Sequence, residues 1–434
     1  MFMVGTKDKK TLIVGLLLGA LALSGSAHAV PSFARQTGME CLACHTIFPQ
    51  LTPFGREFKL GGYLLSDGQK KKWPPIAAGV QFSYTTLAKQ SEETEEQRLP
   101  QAISLYYGGK IISKVGALIQ VSYTKEMKQV SLEMADIRYA NQGFAGDASL
   151  TYGLTLNNMP TLQDVWNSTP VYMFPYEPQA IAPSPAAGLG LSSPLSMGVA
   201  GLGVYAYWNN FVYAELTGYR ARQGGGMGEE AMGEEAMGEL QGIAPYWRLA
   251  LQDEKGIRSF AAGIYGISGE AMLEASDPMF MMLGETQSYR DIGLDAQYQA
   301  IGDAHIFSAY GTWIKRSAKY GEEMMRAESM LDIYRVNASY SFQRKYALML
   351  GYFAISGDTD PLLYPMEAGV GSGTGSPDST GYIAEVNYLP WQKIKLALQY
   401  TAYGKFNGAS QDYDGFGRNA SDNNTAYLLA NFMF

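Results

Sequence analysis

Both cysteines of the chain fall within one short run, Cys41-Leu42-Ala43-Cys44-His45. This is the CxxCH spacing. Two thiols so placed can form thioethers with the vinyl groups of a haem, and the adjacent imidazole then meets the iron from the proximal side. The same thiols would also suit a redox dithiol or half a zinc site. Zinc lacks two further ligands here, and the dithiol reading lacks a recognisable βαβ context. The histidine directly after the second cysteine therefore points to one covalent haem c, attached at Cys41 and Cys44 and ligated by His45. Both thiols are then used. The sixth iron ligand is not evident. Met39 is the only methionine between Val30 and Trp73, and it lies too close to Cys41 to reach the opposite haem face easily. A distal ligand would come from His305 or a methionine further along the chain, from water, or be absent.

Other chemistry finds little support. With His45 committed and His28 inside a leader, only His305 remains as an imidazole base, and no nucleophile motif accompanies it. Phosphate-binding glycine fingerprints in a strand–helix context are missing. The formal net charge is −8, so no basic field exists to hold nucleic acid.

The elements that position the motif begin with an export signal. Lys7, Lys9 and Lys10 form a basic start, Thr11 to Leu23 an apolar stretch, and Ala27-His28-Ala29 a small-x-small cleavage site, so residues 1–29 read as a signal peptide. No other run is long and apolar enough to cross a bilayer as a helix. An exported chain of this kind is either soluble in the periplasm or a β-barrel. Charged residues reach only 17%, while aromatics reach 12%, with 30 Tyr and 49 Gly. That balance suits strands and turns.

From about Ala77 onward the pattern has period two, the strand period. Ile292, Leu294, Ala296 and Tyr298 oppose Asp291, Asp295, Gln297 and Gln299. Tyr334, Val336, Ala338, Tyr340 and Phe342 oppose Arg335, Asn337, Ser339, Ser341 and Gln343. One face would meet lipid and the other a polar lumen. A soluble β-sandwich also alternates, but the connections separate the two. About sixteen strands can be drawn, a fourth over 129–140 and a fifth over 146–157 among them. Every second connection is short, such as Asn141–Ala145, Asn209–Asn210 and Arg344, while most of the others are long. This is the arrangement of bacterial outer-membrane barrels. Leu428, Ala430, Phe432 and Phe434 alternate up to an aromatic C-terminus, which resembles the assembly signal of such barrels.

The sequence thus predicts an all-β protein: a transmembrane antiparallel β-barrel of about sixteen strands with a small N-terminal c-type haem segment, in the outer membrane of a Gram-negative bacterium. Residues 1–29 form the signal peptide, 30–75 the monohaem cytochrome c segment and 76–434 the barrel. The haem segment is too small to bury a useful core alone. It is expected inside the barrel or at its periplasmic mouth, with the haem within the hydrocarbon belt so that electrons cross where lipid would insulate. The 158–194 loop is long and proline-rich enough to fold inward. Ser91–Glu96 is acidic, and Met227–Leu240 is a short Met/Glu repeat that reads best as a solvated loop.

A family resemblance follows from particular residues. Phe33-Ala34-Arg35-Gln36-Thr37, the CLACH motif, and the run Pro49-Gln50-Leu51-Thr52-Pro53-Phe54-Gly55-Arg56-Glu57-Phe58-Lys59-Leu60-Gly61-Gly62-Tyr63 together resemble the fused monohaem cytochrome–porin family. Its best-known members are outer-membrane iron-oxidising cytochromes. The resemblance implies that Cys41 and Cys44 attach haem and that His45 ligates iron. It also implies that extracellular Fe(II) donates electrons to a periplasmic c-type cytochrome or another soluble carrier, which would make the chain an Fe(II)-oxidising electron-transfer protein. Outer-membrane lipid is the remaining partner. The alternatives are an electron outlet to an external acceptor and a solute porin with a structural haem.

Overall fold

A computed structural model describes residues 30–65, 74–89, 100–124, 129–167, 182–185, 199–221, 240–272, 286–319, 328–361, 364–391 and 393–434. The signal peptide, the Lys70–Lys72 connector, Ser91–Glu96, nearly all of the Met/Glu repeat and most of the 158–194 loop lie outside the described residues.

The chain forms a closed barrel of sixteen strands. They are β1 (Ile76–Leu87), β2 (Ala102–Ile112), β3 (Val115–Thr124), β4 (Gln129–Ala145), β5 (Ala148–Asn157), β6 (Val199–Trp208), β7 (Val212–Ala221) and β8 (Ala244–Lys255). The second eight are β9 (Arg258–Met272), β10 (Thr286–Ile301), β11 (His305–Lys319), β12 (Ser329–Phe342), β13 (Tyr346–Gly357), β14 (Ser379–Trp391), β15 (Ile394–Lys405) and β16 (Thr425–Met433). Each strand pairs antiparallel with its sequence neighbour, and β16 closes the ring on β1 from Thr425↔Leu87 to Met433↔Gly79. The expected strand count and fold class are the observed ones.

Seven connections are tight turns on one rim. Asn209 and Asn210 adopt φ of 53° and 50°, and Gln343 and Arg344 adopt 50° and 55°. Two successive left-handed residues give the type I′ geometry that matches strand twist. One boundary differs from expectation. Asn141, Gln142 and Gly143 look like a turn, yet β4 runs on to Ala145, pairing with Ala148. The turn is made by Gly146, at φ 66°, and glycine adopts this conformation without strain.

Alternation sorts side chains cleanly. Along β13, Tyr346, Leu348, Leu350 and Tyr352 are 51, 46, 53 and 37% exposed, while Ala347, Met349, Phe353 and Ile355 are 6, 2, 8 and 4% exposed. The exposed set continues around the ring with Leu202, Val204, Leu216, Leu249, Leu251, Val336, Val386 and Leu398. An apolar belt of this extent is stable only against lipid. It excludes the soluble sandwich, and the barrel is of the outer-membrane type. No helix among the described residues is long and apolar enough to cross a membrane.

The inner face departs from the uniformly polar lumen expected. From β6 to β13, near the long-loop rim, it carries Tyr219, Tyr246, Tyr265, Ile267, Ile314, Leu331 and Ile333 in one buried apolar cluster. The remaining wall is more polar, with Ser83, Thr85, Ser104, Ser122, Gln399 and Thr425 facing in beside a smaller apolar cluster of Ala397, Tyr427 and Leu429. The short-turn end is filled by the N-terminal segment: helix α1 (Pro31–Thr37), helix α2 (Cys41–Cys44), a hairpin of His45–Ile47 with Gln50–Leu51, and helix α3 (Pro53–Leu60).

Candidate functional site: a CxxCH motif in a barrel plug

The CxxCH motif is shaped by its local caps. Pro31 opens α1 and Gly38, at φ 72°, closes it, as is usual for proline at a first helical turn and glycine past the end. The one-turn helix α2 sets Cys41 and Cys44 three residues apart on one face. Thr52 then ties α2 to α3. Its hydroxyl accepts from Gly55 N–H at 3.1 Å as the α3 N-cap and donates to the Ala43 carbonyl at 2.7 Å. Its own N–H donates to the Cys44 carbonyl at 2.9 Å. Gly55 lets the two helices touch, because a Cβ there would lie 2.2 Å from the Cys44 carbonyl oxygen.

His45 is oriented by the backbone of the hairpin that follows it. Its Nδ1 lies 3.2 Å from the Pro49 carbonyl oxygen. A carbonyl only accepts, so Nδ1 carries the proton and Nε2 keeps its lone pair. A backbone carbonyl on one ring nitrogen is the usual way to aim the other nitrogen at a metal. Part of the ring is accessible, but it stands inside the lumen, and that desolvation lowers its pKa to about 4. The ring is therefore neutral at pH 7, as an iron ligand must be. The Cys44 thiol is pushed up to about 11, first by burial and then by Cys41. Redox dithiols lower their pKa instead, so the geometry disfavours that reading. The donor set, two thiols on one face and an adjacent neutral imidazole, fits a haem c. Among the described residues no cluster of three or more His, Cys, Asp or Glu could hold a metal ion.

Long-range contacts wedge the motif in place. Arg56 is 1% exposed. Its Nε donates to Gln252 at 2.7 Å, its Nη1 to Gln297 and the Leu51 carbonyl at 2.8 Å each, and its Nη2 to Ser259 at 3.4 Å. Tyr63 donates to Asp136 at 2.6 Å, Tyr205 to the Leu60 carbonyl at 2.6 Å, and Asn210 to Glu57 at 3.0 Å. Arg344, in a short turn, donates to the Leu42 carbonyl inside the motif at 3.1 Å. These partners come from around most of the ring, so the segment is a plug. Ser259 and Gln299 lie within two residues of their strand ends at the short-turn rim. The motif therefore sits inside the barrel toward that rim, one of the two placements expected.

A second layer covers the plug. Asn158–Trp166, which includes helix α4 (Pro160–Gln163), folds into the lumen as the length of that loop allows. Lys59 donates to the Leu162 carbonyl. Arg138 donates to the Gln163 carbonyl at 2.9 Å. Arg248 lies 4.9 Å from the Trp166 ring centre and pairs with Asp295 at 2.9 Å and Asp164 at 3.7 Å. Arg138 and Arg248 are both 0% exposed.

Of the expected site residues, Cys41, Cys44 and His45 are brought together. His305 is not part of the site. It begins β11 on the outer face, its Nδ1 is 2.6 Å from the Tyr340 hydroxyl, and its ring packs on Phe342. Both aromatics belong to the exposed belt, so the wall separates His305 from the motif and removes it as a distal ligand. Pro49, Thr52, Arg56, Lys59 and Tyr63 lie in the run that carries the resemblance, but the sequence assigns them no individual role. The Thr52-Pro53 pair does carry a cap signature. Arg56 and Lys59 on a short helix read no differently from a solvated face.

Fold and plug together define a class: a sixteen-stranded outer-membrane barrel closed at its short-turn end by a CxxCH-bearing N-terminal segment. No protein-family model and no curated protein matches the chain. Among solved structures it is similar to Pseudomonas putida OprB, at 10% identity and TM-score 0.49, over 83% of this chain and 93% of that one. The Acinetobacter baumannii outer membrane channel DcaP gives 13% and 0.48, over 85% and 99%. Salmonella typhi OmpF, in complex with daunomycin, gives 12% and 0.46, over 83% and 97%. The barrel assignment rests on the strand pairing described above.

Proposed function

We propose that this chain carries single electrons across the outer membrane. They pass from extracellular Fe(II) to a periplasmic c-type cytochrome or another soluble carrier, by way of one haem c attached at Cys41 and Cys44 and ligated by His45. When bound, that group supplies a one-electron Fe(III)/Fe(II) couple. The observation that carries the reading is the CxxCH motif mounted on a plug inside a membrane barrel, with His45 Nδ1 held by the Pro49 carbonyl. The chain's own groups do the rest. Cys41 and Cys44 fix position, Pro49 fixes the tautomer, and Arg56 and Arg344 hold the plug to the wall. In outer-membrane barrels the short turns face the periplasm, so the motif lies within reach of a periplasmic carrier. A donor outside must send its electron the length of the lumen or descend it.

Haem staining of denaturing gels, with reduced-minus-oxidised spectra on outer-membrane fractions and titration with Fe(II), tests this. The expected result is a stained band, lost in C41S/C44S, whose α-band appears on adding Fe(II). A stained protein that Fe(II) leaves oxidised rejects the donor. An unstained protein with large bilayer conductance favours the solute porin.

A further inference from the structure

The short-turn rim is electrically two-sided. One arc runs through the turns after β12, β14 and β2. It carries Arg344, Lys345, Lys393, Lys110 and Lys114, and among the described residues Glu40, beside the motif, and Asp303, whose carbonyl accepts from Arg344 Nε at 3.2 Å, are acidic groups at its edge. Lys110, Lys114 and Lys345 are exposed. Lys114 donates to Asn141 at 2.7 Å, a neutral partner that leaves its charge uncancelled. The rest of the rim carries Asp147, Asp253 and Glu254 against Lys255 and Arg258, all exposed. There Lys255 is already paired with Asp253 at 3.0 Å.

The basic arc adjoins the CxxCH motif, because Arg344 on that arc holds the Leu42 carbonyl at 3.1 Å. Gly38, Met39 and Glu40, directly before Cys41, are exposed, as is Pro49. The attachment site thus opens beside a basic arc, with a small exposed patch at its edge whose one charge is the Glu40 carboxylate. Charged rims of this kind set encounter rate and orientation more than affinity.

We propose that the arc formed by Lys110, Lys114, Arg344, Lys345 and Lys393 is the docking surface for a soluble electron carrier that presents an acidic face. This rests on the proposed electron-transfer reading and names the chemistry of its periplasmic partner. With haem c held by Cys41, Cys44 and His45, the step would be a one-electron transfer in which the haem iron would go from ferrous to ferric as the carrier's one-electron acceptor is reduced. No bond forms or breaks.

The test uses the full chain in lipid nanodiscs, reduced with ascorbate and mixed by stopped flow with two acceptors: a lysine-rich soluble cytochrome c, and the same protein succinylated to reverse its charge. At low ionic strength the succinylated acceptor is expected to oxidise the chain about tenfold faster. The advantage should vanish near 1 M salt, where screening acts over roughly 3 Å. The triple variant K110E/K114E/K345E should invert the preference while keeping its haem stain and its heat-modifiable gel mobility. Equal rates, or a faster lysine-rich acceptor, overturn the docking proposal. So does an unchanged preference in the triple variant, the result if the arc serves phospholipid headgroups. Absence of any reducible haem band rejects the electron-transfer reading itself, a different outcome from a haem that shows no charge preference.

Discussion

At the scale of single residues the site depends on two contacts that admit little change. Gly55 faces the Cys44 carbonyl, and a methyl group there would stand 2.2 Å from the oxygen. The contact is with backbone, so no side chain can yield and α3 must move away from α2. Gly55→Ala is expected to reduce haem attachment severalfold while leaving barrel assembly intact, read as haem stain per heat-modifiable band. Thr52 holds both elements through its hydroxyl. Thr52→Ala should cost about 1 kcal/mol of plug stability, the usual worth of an N-cap, and Thr52→Ser should restore it. His45 adds a pH dependence to the haem-free chain. Its folded pKa of about 4 lies below the ordinary value of 6.5. Between the two, the unfolded chain binds a proton that the folded plug refuses, so stability rises with pH across that window and is lost as pH falls through it. Protease sensitivity of residues 30–65 in C41S/C44S should therefore increase from pH 6.5 toward pH 4, and in a further H45Q background the increase should shrink.

At the scale of elements, the plug is held by one helix in a polar socket. Among the described residues no carboxylate forms an ion pair with Arg56, whose donors end on Gln252, Gln297, Gln299, Ser259 and the Leu51 carbonyl. Arg56→Ala leaves three amide oxygens in the socket without that donor. Hydrogen bonds to a charged group are worth roughly 1.5–3 kcal/mol each and part is regained as the buried cation disappears, so a net loss of about 2–4 kcal/mol is expected. The measurement is protease release of the plug from a barrel that keeps its gel mobility, and Arg56→Lys should fall between. This socket also shows what the sequence could and could not reveal. The barrel was legible because alternation is local. Tyr346, Leu348 and Leu350 face lipid at every second position, and a short asparagine pair marks a turn without reference to the rest of the chain. His305 shares parity with Phe307, so its outward direction was also present in the pattern. Arg56 was opaque because its partners stand 196 to 243 residues away. The end of β4 at Ala145 was opaque because Asn141–Gly143 has turn-like composition, while pairing with β5 continues past it.

At the scale of the whole molecule, the two layers inside the barrel decide what can cross it. The plug fills the short-turn end, and the Asn158–Trp166 segment lies over it, locked by Arg138 and Arg248. Beyond that, the β6–β13 wall carries a large apolar cluster, and its buried charges are already paired, Arg316 with Asp291 at 2.8 Å, so it offers a hydrated ion little in exchange for its water. The β14–β16 and β1–β3 wall is different, with Ser83, Thr85, Ser104, Ser122, Gln399 and Thr425 on its inner face. If electrons enter from outside, a small aquated donor following the polar wall can approach the motif, whereas a bulky donor must stop at the long-loop rim, separated from the motif by much of the barrel's length. The chain in sealed proteoliposomes, long loops outward, should therefore be reduced quickly by aquated Fe(II) and at least tenfold more slowly by Fe(II) held on a macromolecular chelator of matched potential. In the same bilayers the intact chain should conduct far less than one lacking residues 30–65, because the deletion removes Arg56 and Lys59 and with them the layer beneath Leu162. Equal reduction by both donors would mean that the electron crosses the packed interior rather than being carried down it by the ion. High conductance of the intact chain would mean that neither layer closes the lumen.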